Sequence, residues 1–293
     1  MITINDFLGI VLDDFKKYVD SADKLCELKE AHFDGGRIPD YSDPHIQQLY
    51  LLRYAYAYAF EYKVMYRGLK QRIKPGSNIK VTSIGCGNLI DYWSLARIVG
   101  NNCRICYRGI DTVDWAYRFP ERDYDDVKCI IGNVLDLFQG ASSFSSDVYI
   151  FPKSISEFTS ENVHTLANCF TSNTILKDTV HFLFSLRTDS GSKKRDGAKT
   201  SIIYDRMIQC GFHTKDQRKK YYHFNDSISG RKIREVDDDF CHPGEVIDCL
   251  KELYAECSDF QDCANKEDCI NRLSRWPILK CNQAAWQIFT FER

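Results

Sequence analysis

Two glycines bracket a cysteine at Gly85-Cys86-Gly87, where a β-branched run (Val81 to Ile84) gives way to an apolar, partly aromatic segment. A tight turn between strand and helix brings main-chain N–H groups close to a ligand. A pyrophosphate cofactor generally asks for a third small residue, so that helix and strand can close together. Leu89-Ile90-Asp91 stands there instead. The turn therefore suits a ligand without phosphate and with a charged amino-acid tail, whose ammonium group Asp91 can meet. Asp111 follows 24 residues after Gly87, at the end of the next apolar run. An acid at that point can accept both hydroxyls of a ribose. Asn133 comes after a third run, where an amide can read an adenine edge. Turn, acid and amide occur in the order a nucleoside pocket needs. A nucleotide-dependent oxidoreductase, or an interaction protein built on an inactive fold, are the other classes this pattern allows.

Further candidates follow the fourth apolar run. Glu157 can orient or deprotonate an acceptor, and Lys153 can neutralise a carboxylate or phosphate. A separate feature is HIQQLYLLRYAYAYAFEYKVMYRGLKQRI (His45 to Ile73), with tyrosines at 50, 54, 58, 62 and 66. A four-residue step drifts roughly 40° around a helix, so these rings form a slanting band. Tyrosine offers a flat face and a hydroxyl. Tyr54 and Tyr58, near the middle, are expected to line the acceptor pocket as part of a lid.

The elements that must position these residues are legible from periodicity. Residues 1 to 31 read as helix, capped by Asn5 or Asp6, and HFDGGRIPDYSDP (His32 to Pro44) as a turn-rich break. After the tyrosine helix, strands are expected at 79–84, 104–110, 127–131, 147–151, 179–186, 220–224 and 285–291. Helices are expected at 89–99, 161–170 and 199–210. Alternation of this kind gives an open doubly wound α/β sheet. Residues 1–75 are expected to form a helical extension or lid, and 76–293 a Rossmann-like domain with a cysteine-rich insertion at about 240–281. The basic run KKRDGAK (Lys193 to Lys199) reads as a loop able to attract an anionic acceptor such as RNA.

At these residues the chain resembles the class I S-adenosylmethionine-dependent methyltransferases. The resemblance rests on SIGCGNLIDYWSL (Ser83 to Leu95), GID (Gly109 to Asp111), IIGNVLDL (Ile130 to Leu137), DVYIFPKSISE (Asp147 to Glu157) and HFLFSLR (His181 to Arg187), and covers roughly Lys74 to the C-terminus. It implies a mostly parallel seven-stranded sheet with its last strand antiparallel, and S-adenosyl-L-methionine as cofactor. It also implies that Gly85, Cys86 and Gly87 cradle the methionine part, that Asp111 holds the ribose, and that Asn133 and Val134 border the adenine. Ser83 stands where the family often carries an acid. Phe151-Pro152-Lys153-Ser154 replaces the Pro-Pro-aromatic signature of many exocyclic-amine methyltransferases. The acceptor expected is a small molecule or RNA.

Bulk composition adds bounds. Lys and Arg number 39 against 41 Asp and Glu, so no global basic surface steers nucleic acid. No apolar run is long enough to span a membrane, and the N-terminus lacks the basic flank of a signal peptide. A cytoplasmic setting with reduced thiols is expected for the 13 cysteines. Six of these lie between Phe240 and Cys281 without a CxxC knuckle, so no metal site is expected there.

Overall fold

The computed structural model describes residues 2–18, 39–100, 103–140, 144–174, 177–187, 190–224, 252 and 284–293. The chain forms two compact units: one includes Met1–Tyr58 and Trp115–Phe119, the other Ala59–Asp114, Pro120–Gly230 and Cys281–Arg293. The cysteine-rich tail from Phe240 to Cys281 lies outside the described residues, as do 19–38.

In the first unit, α1 (Ile4–Tyr18) buries Ile4, Phe7, Leu8, Val11, Leu12 and Phe15 along one helical stripe. Its start is fixed by a reciprocal capping box rather than by Asn5 or Asp6 alone. Asp6 N–H donates to Thr3 Oγ1 at 3.1 Å and Thr3 N–H to Asp6 Oδ2 at 3.2 Å. The long helix α2 (Pro44–Lys70) begins in this unit. There Tyr54 stacks on Tyr58 with centroids 5.6 Å apart and planes at 13°, and Tyr50 packs against both and against Trp115. Phe7 stacks on Phe119 at 4.0 Å.

The second unit is built on β1 (Ile79–Ile84), β2 (Ile105–Asp111), β3 (Asp126–Ile131), β4 (Val148–Pro152), β5 (Thr179–Leu186), β6 (Tyr222–Phe224) and β7 (Ala284–Glu292). They form one sheet in the order β3-β2-β1-β4-β5-β7-β6. The pairs from β3 to β5 are parallel, whereas β7 runs antiparallel to both β5 and β6. This is the sheet expected from the sequence, and its order reverses between β1 and β4. Helices α3 (Ile90–Val99), α4 (Val134–Gly140), α5 (Ser160–Asn173) and α6 (Ser190–Gln209) connect the strands. Side chains alternate across a strand. Ile84 therefore joins Phe151, Phe182, Phe184 and Phe289 in the core against α4, α5 and α6, while Ser83 faces α3. On that second face the later part of α2 meets α3, where Ser94 Oγ donates to the Ala59 carbonyl at 3.2 Å.

Two elements depart from the sequence reading. KKRDGAK is not a loop. It lies within α6, which starts at Ser190 rather than Lys199. Lys194 and Arg195 occupy the exposed helix surface, whereas Asp196 is buried. The short helix α4 and a 3-10 turn at Ser154–Glu157 were not anticipated, because each is shorter than the window in which helical periodicity shows.

Candidate functional site

The glycine turn sits where the strand order reverses. Gly85 has φ +73° and Gly87 φ +54°, both in the left-handed region. Gly85 is also a matter of space: a Cβ there would lie 2.5 Å from Ser154 Cβ. Ser154 Oγ donates to the Ile84 carbonyl, tying the end of β4 to the end of β1. Among the described residues the non-glycine residues with positive φ are Leu89 (67°) and Lys153 (62°). They lie just past β1 and β4, on either side of the switch point, where stored backbone strain often accompanies a ligand site.

The N–H groups of this turn are satisfied within the protein. Gly85 and Cys86 N–H donate to the Ile110 carbonyl at 2.8 and 3.2 Å. Gly87 N–H donates to Asp111 Oδ2 at 2.8 Å, and Asp111 Oδ1 accepts from Val113 N–H at 3.0 Å. Each carboxylate oxygen has lone pairs beyond the one so used. At the start of α3, Ile90 N–H donates to Asn88 Oδ1 at 3.2 Å. The main-chain N–H groups of Asp91 and Tyr92 lie on the side of the Asp91 carboxylate and help to hold its pKa down.

Asp91 is placed differently from the sequence expectation of an ammonium ligand. Its residue has no exposed surface. Ser83 Oγ donates to Oδ2 at 2.6 Å, and Tyr107 Oη reaches both oxygens at 2.8 and 2.9 Å. The carboxylate thus points under the turn, into the sheet, not toward solvent. Burial raises its pKa from 3.8 to about 6, against the opposing hydrogen bonds from Ser83 and Tyr107. Ser83 therefore has an acid against it after all, supplied by the helix instead of the strand. The Tyr66 hydroxyl, fully buried, has no hydrogen-bond partner among the described residues; burial and then the Asp91 charge raise its pKa.

Around the rim, Asn133 is exposed and caps α4 by accepting from Leu135 N–H at 2.9 Å, while Val134 is buried in the core. Glu157, at the end of the 3-10 turn, keeps an exposed side chain. Partial desolvation and then the nearby Asp111 charge raise its pKa, while the Arg187 guanidinium lowers it. Lys153 is ion-paired with Glu61 of α2 at 2.6 Å. The turn carrying Glu157 is held from behind by Lys199, whose ammonium donates to the carbonyls of Ser156 at 2.8 Å and Ile155 at 3.3 Å. Asp196 is buried beside Lys199, Arg187 and Arg195, and burial raises its pKa against those cations.

The structure thus brings Gly85, Gly87, Asp111 and Glu157 together at the carboxyl ends of the strands. The Cys86 side chain is 4% exposed and turns inward, so only its backbone belongs to the turn. Tyr54 and Tyr58 belong to the aromatic cluster of the first unit. Sequence reasoning missed Arg187, Asp196 and Lys199. Arg187, immediately after the apolar β5 run, had a readable signal in its position; the other two did not, since their segment looked like a solvated loop. Among the described residues, no group of three His, Cys, Asp or Glu is placed to hold a metal ion, and no helix is long and apolar enough to cross a membrane.

No protein-family model matches the chain, and no curated protein matches it. Among solved structures it is similar to a cyclopropane-fatty-acyl-phospholipid synthase-like protein from Lactobacillus casei, at 13% identity and TM-score 0.40 over 92% of this chain and 99% of that one. It is also similar to a SAM-dependent methyltransferase from Archaeoglobus fulgidus, at 13% identity and TM-score 0.36 over 78% and 94% of the two chains. A SAM-dependent methyltransferase from Geobacter sulfurreducens, in complex with S-adenosyl-L-homocysteine, gives 13% identity and TM-score 0.35 over 79% and 90%. At such identities a likeness assigns no substrate, and the chemistry has to come from the residues themselves.

Proposed function

We propose that this chain is an S-adenosylmethionine-dependent methyltransferase acting on a small-molecule or RNA acceptor. The observation that carries the reading is the state of the turn and of the first turn of α3. The N–H groups of Gly85 and Cys86 already donate to Ile110, that of Gly87 to Asp111 and that of Ile90 to Asn88. A pyrophosphate needs free donors and positive potential at that helix end. Here it would meet satisfied donors and buried acid. A nicotinamide dinucleotide is disfavoured for that reason. A ligand that offers ribose hydroxyls and positive charge is favoured, because Asp111 and Glu157 present acceptors and negative charge.

The sulfonium cofactor supplies an electrophilic methyl group when bound. The protein's part is alignment and exclusion of water, which methyl transfer mostly requires. Asp111 would accept the ribose hydroxyls with the lone pairs left by Gly87 and Val113. Asn133 and Val134 would border the adenine. Glu157 would take a proton from an acceptor that must lose one. Its raised pKa brings a carboxylate closer to the range where a general base works well near neutral pH. Arg187 would keep that carboxylate oriented. Lys153, paired with Glu61, would hold the wall of the site rather than neutralise an acceptor.

Calorimetry with S-adenosylmethionine, S-adenosylhomocysteine and NAD tests this. The two sulfur ligands should bind and NAD should not. Tighter binding of NAD would overturn the reading.

A further inference from the structure

The cysteine of the glycine turn does not stand alone. Cys86 lies over Gly109 of β2: a Cβ at Gly109 would fall 2.6 Å from Cys86 Sγ and 2.9 Å from its Cβ. In the sheet register, Gly109 pairs with Ser83 on one side and with Cys129 on the other. Strands two apart in a sheet are separated by about 10 Å, too far for two thiols to meet across an ordinary residue. The missing side chain at Gly109 opens that path. The Cys86 backbone has also crossed toward β2, where its N–H reaches Ile110. The Cys129 side chain stands on the same face as the space left by Gly109, so the Cys86 and Cys129 thiols come within range of each other; neither is in a disulfide, and β3 lies at the edge of the sheet.

We propose that Cys86 and Cys129 form a redox latch on the cofactor turn, closing to a disulfide with a hydroperoxide as oxidant. Cys129 is half-buried and Cys86 is buried, so Cys129 meets the oxidant first. Its sulfur attacks the terminal peroxide oxygen, the O–O bond breaks, and the other oxygen departs with the thiol proton, as water from hydrogen peroxide or as an alcohol from an organic hydroperoxide. The sulfenic acid so formed is attacked by Cys86 sulfur, the S–O bond breaks, and the hydroxyl leaves as water with the Cys86 proton. Two electrons pass from the thiols to the peroxide. The neighbouring Cys129 thiol, then burial and the Asp91 and Asp111 carboxylates, keep Cys86 a neutral thiol, which makes closure slow and confines it to sustained oxidation. Drawing Cys86 toward β3 to disulfide distance strains the neighbouring Gly87 N–H bond to Asp111. The consequence for cofactor affinity rests on the methyltransferase reading; closure of the latch and movement of the turn do not.

The test is peroxide treatment of the full chain, read by peptide mapping, by amide exchange of residues 85–88 and by S-adenosylmethionine calorimetry. Expected are a Cys86–Cys129 linkage, faster exchange in the turn and an affinity about tenfold weaker, all restored by dithiothreitol and all missing in Cys129→Ser. A linkage that leaves amide exchange unchanged, or oxidised protein in which these two thiols stay unlinked, would overturn the latch. If the reduced protein fails to bind the cofactor, the proposed function fails while mapping and exchange still decide the latch.

Discussion

Asp91→Asn isolates the energetics beneath the glycine turn. The wild-type carboxyl titrates at about 6 in the fold against 3.8 for an ordinary aspartate. Below pH 3.8 both folded and unfolded chains carry the proton, and this group adds no penalty. As pH rises toward 6 the unfolded chain gives up its proton while the folded one keeps it, so stability falls; above about 6 the penalty is complete. The gap corresponds to roughly 3 kcal/mol, most of it developed between pH 4 and 7.5. Asparagine keeps an oxygen for the α3 N–H groups, and the hydroxyls of Ser83 and Tyr107 can reorient to accept from its amide. Urea unfolding at pH 4 and at pH 7.5 should therefore show the variant gaining roughly 2 kcal/mol on the wild type at the higher pH. The same difference at both pH values would refute the burial argument. S-adenosylmethionine affinity should change less than about threefold, since Asp91 faces the sheet. A tenfold loss would restore it to the ligand role its sequence position suggested.

Asp111→Ala should weaken S-adenosylmethionine binding by about tenfold or more in calorimetry, because charged hydrogen bonds to ribose and to Gly87 N–H disappear together. Gly85→Ala should lower the melting temperature and abolish cofactor binding, since the new methyl strikes Ser154 at a positive φ; unchanged melting would show that the β1–β4 approach is looser than described. Once an acceptor is known, Glu157→Gln should leave cofactor affinity intact and cut turnover by about 100-fold or more if that acceptor loses a proton. Its turnover should also lose the rise with pH that ionisation of Glu157 gives the wild type, and equal pH profiles would remove the base assignment.

The sequence by itself determined the order of strands and helices, the place of the turn and the acid at the end of β2. Those features are local: alternation of apolar residues, two glycines at a strand end, and a charge after an apolar run. It also carried the sheet plan through the family resemblance, down to the antiparallel β7. What it did not determine is where the side chains point. Asp91 sits at a spacing equally suited to a ligand and to its own helix end, and only the packing of α3 on Ser83 and Tyr107 turned it inward. Lys153 looked free for an acceptor until α2 brought Glu61 to it. Lys193 to Lys199 looked like a loop because surface charge is common to loops and to helix faces; the fold made it helix and set Lys199 behind Glu157. Cys86 and Cys129 are 43 positions apart in the chain, and their meeting depends on a glycine in the strand between them. Each of these outcomes is a contact between residues distant in sequence. Such contacts are chosen by close packing of the whole unit, which a local pattern does not encode.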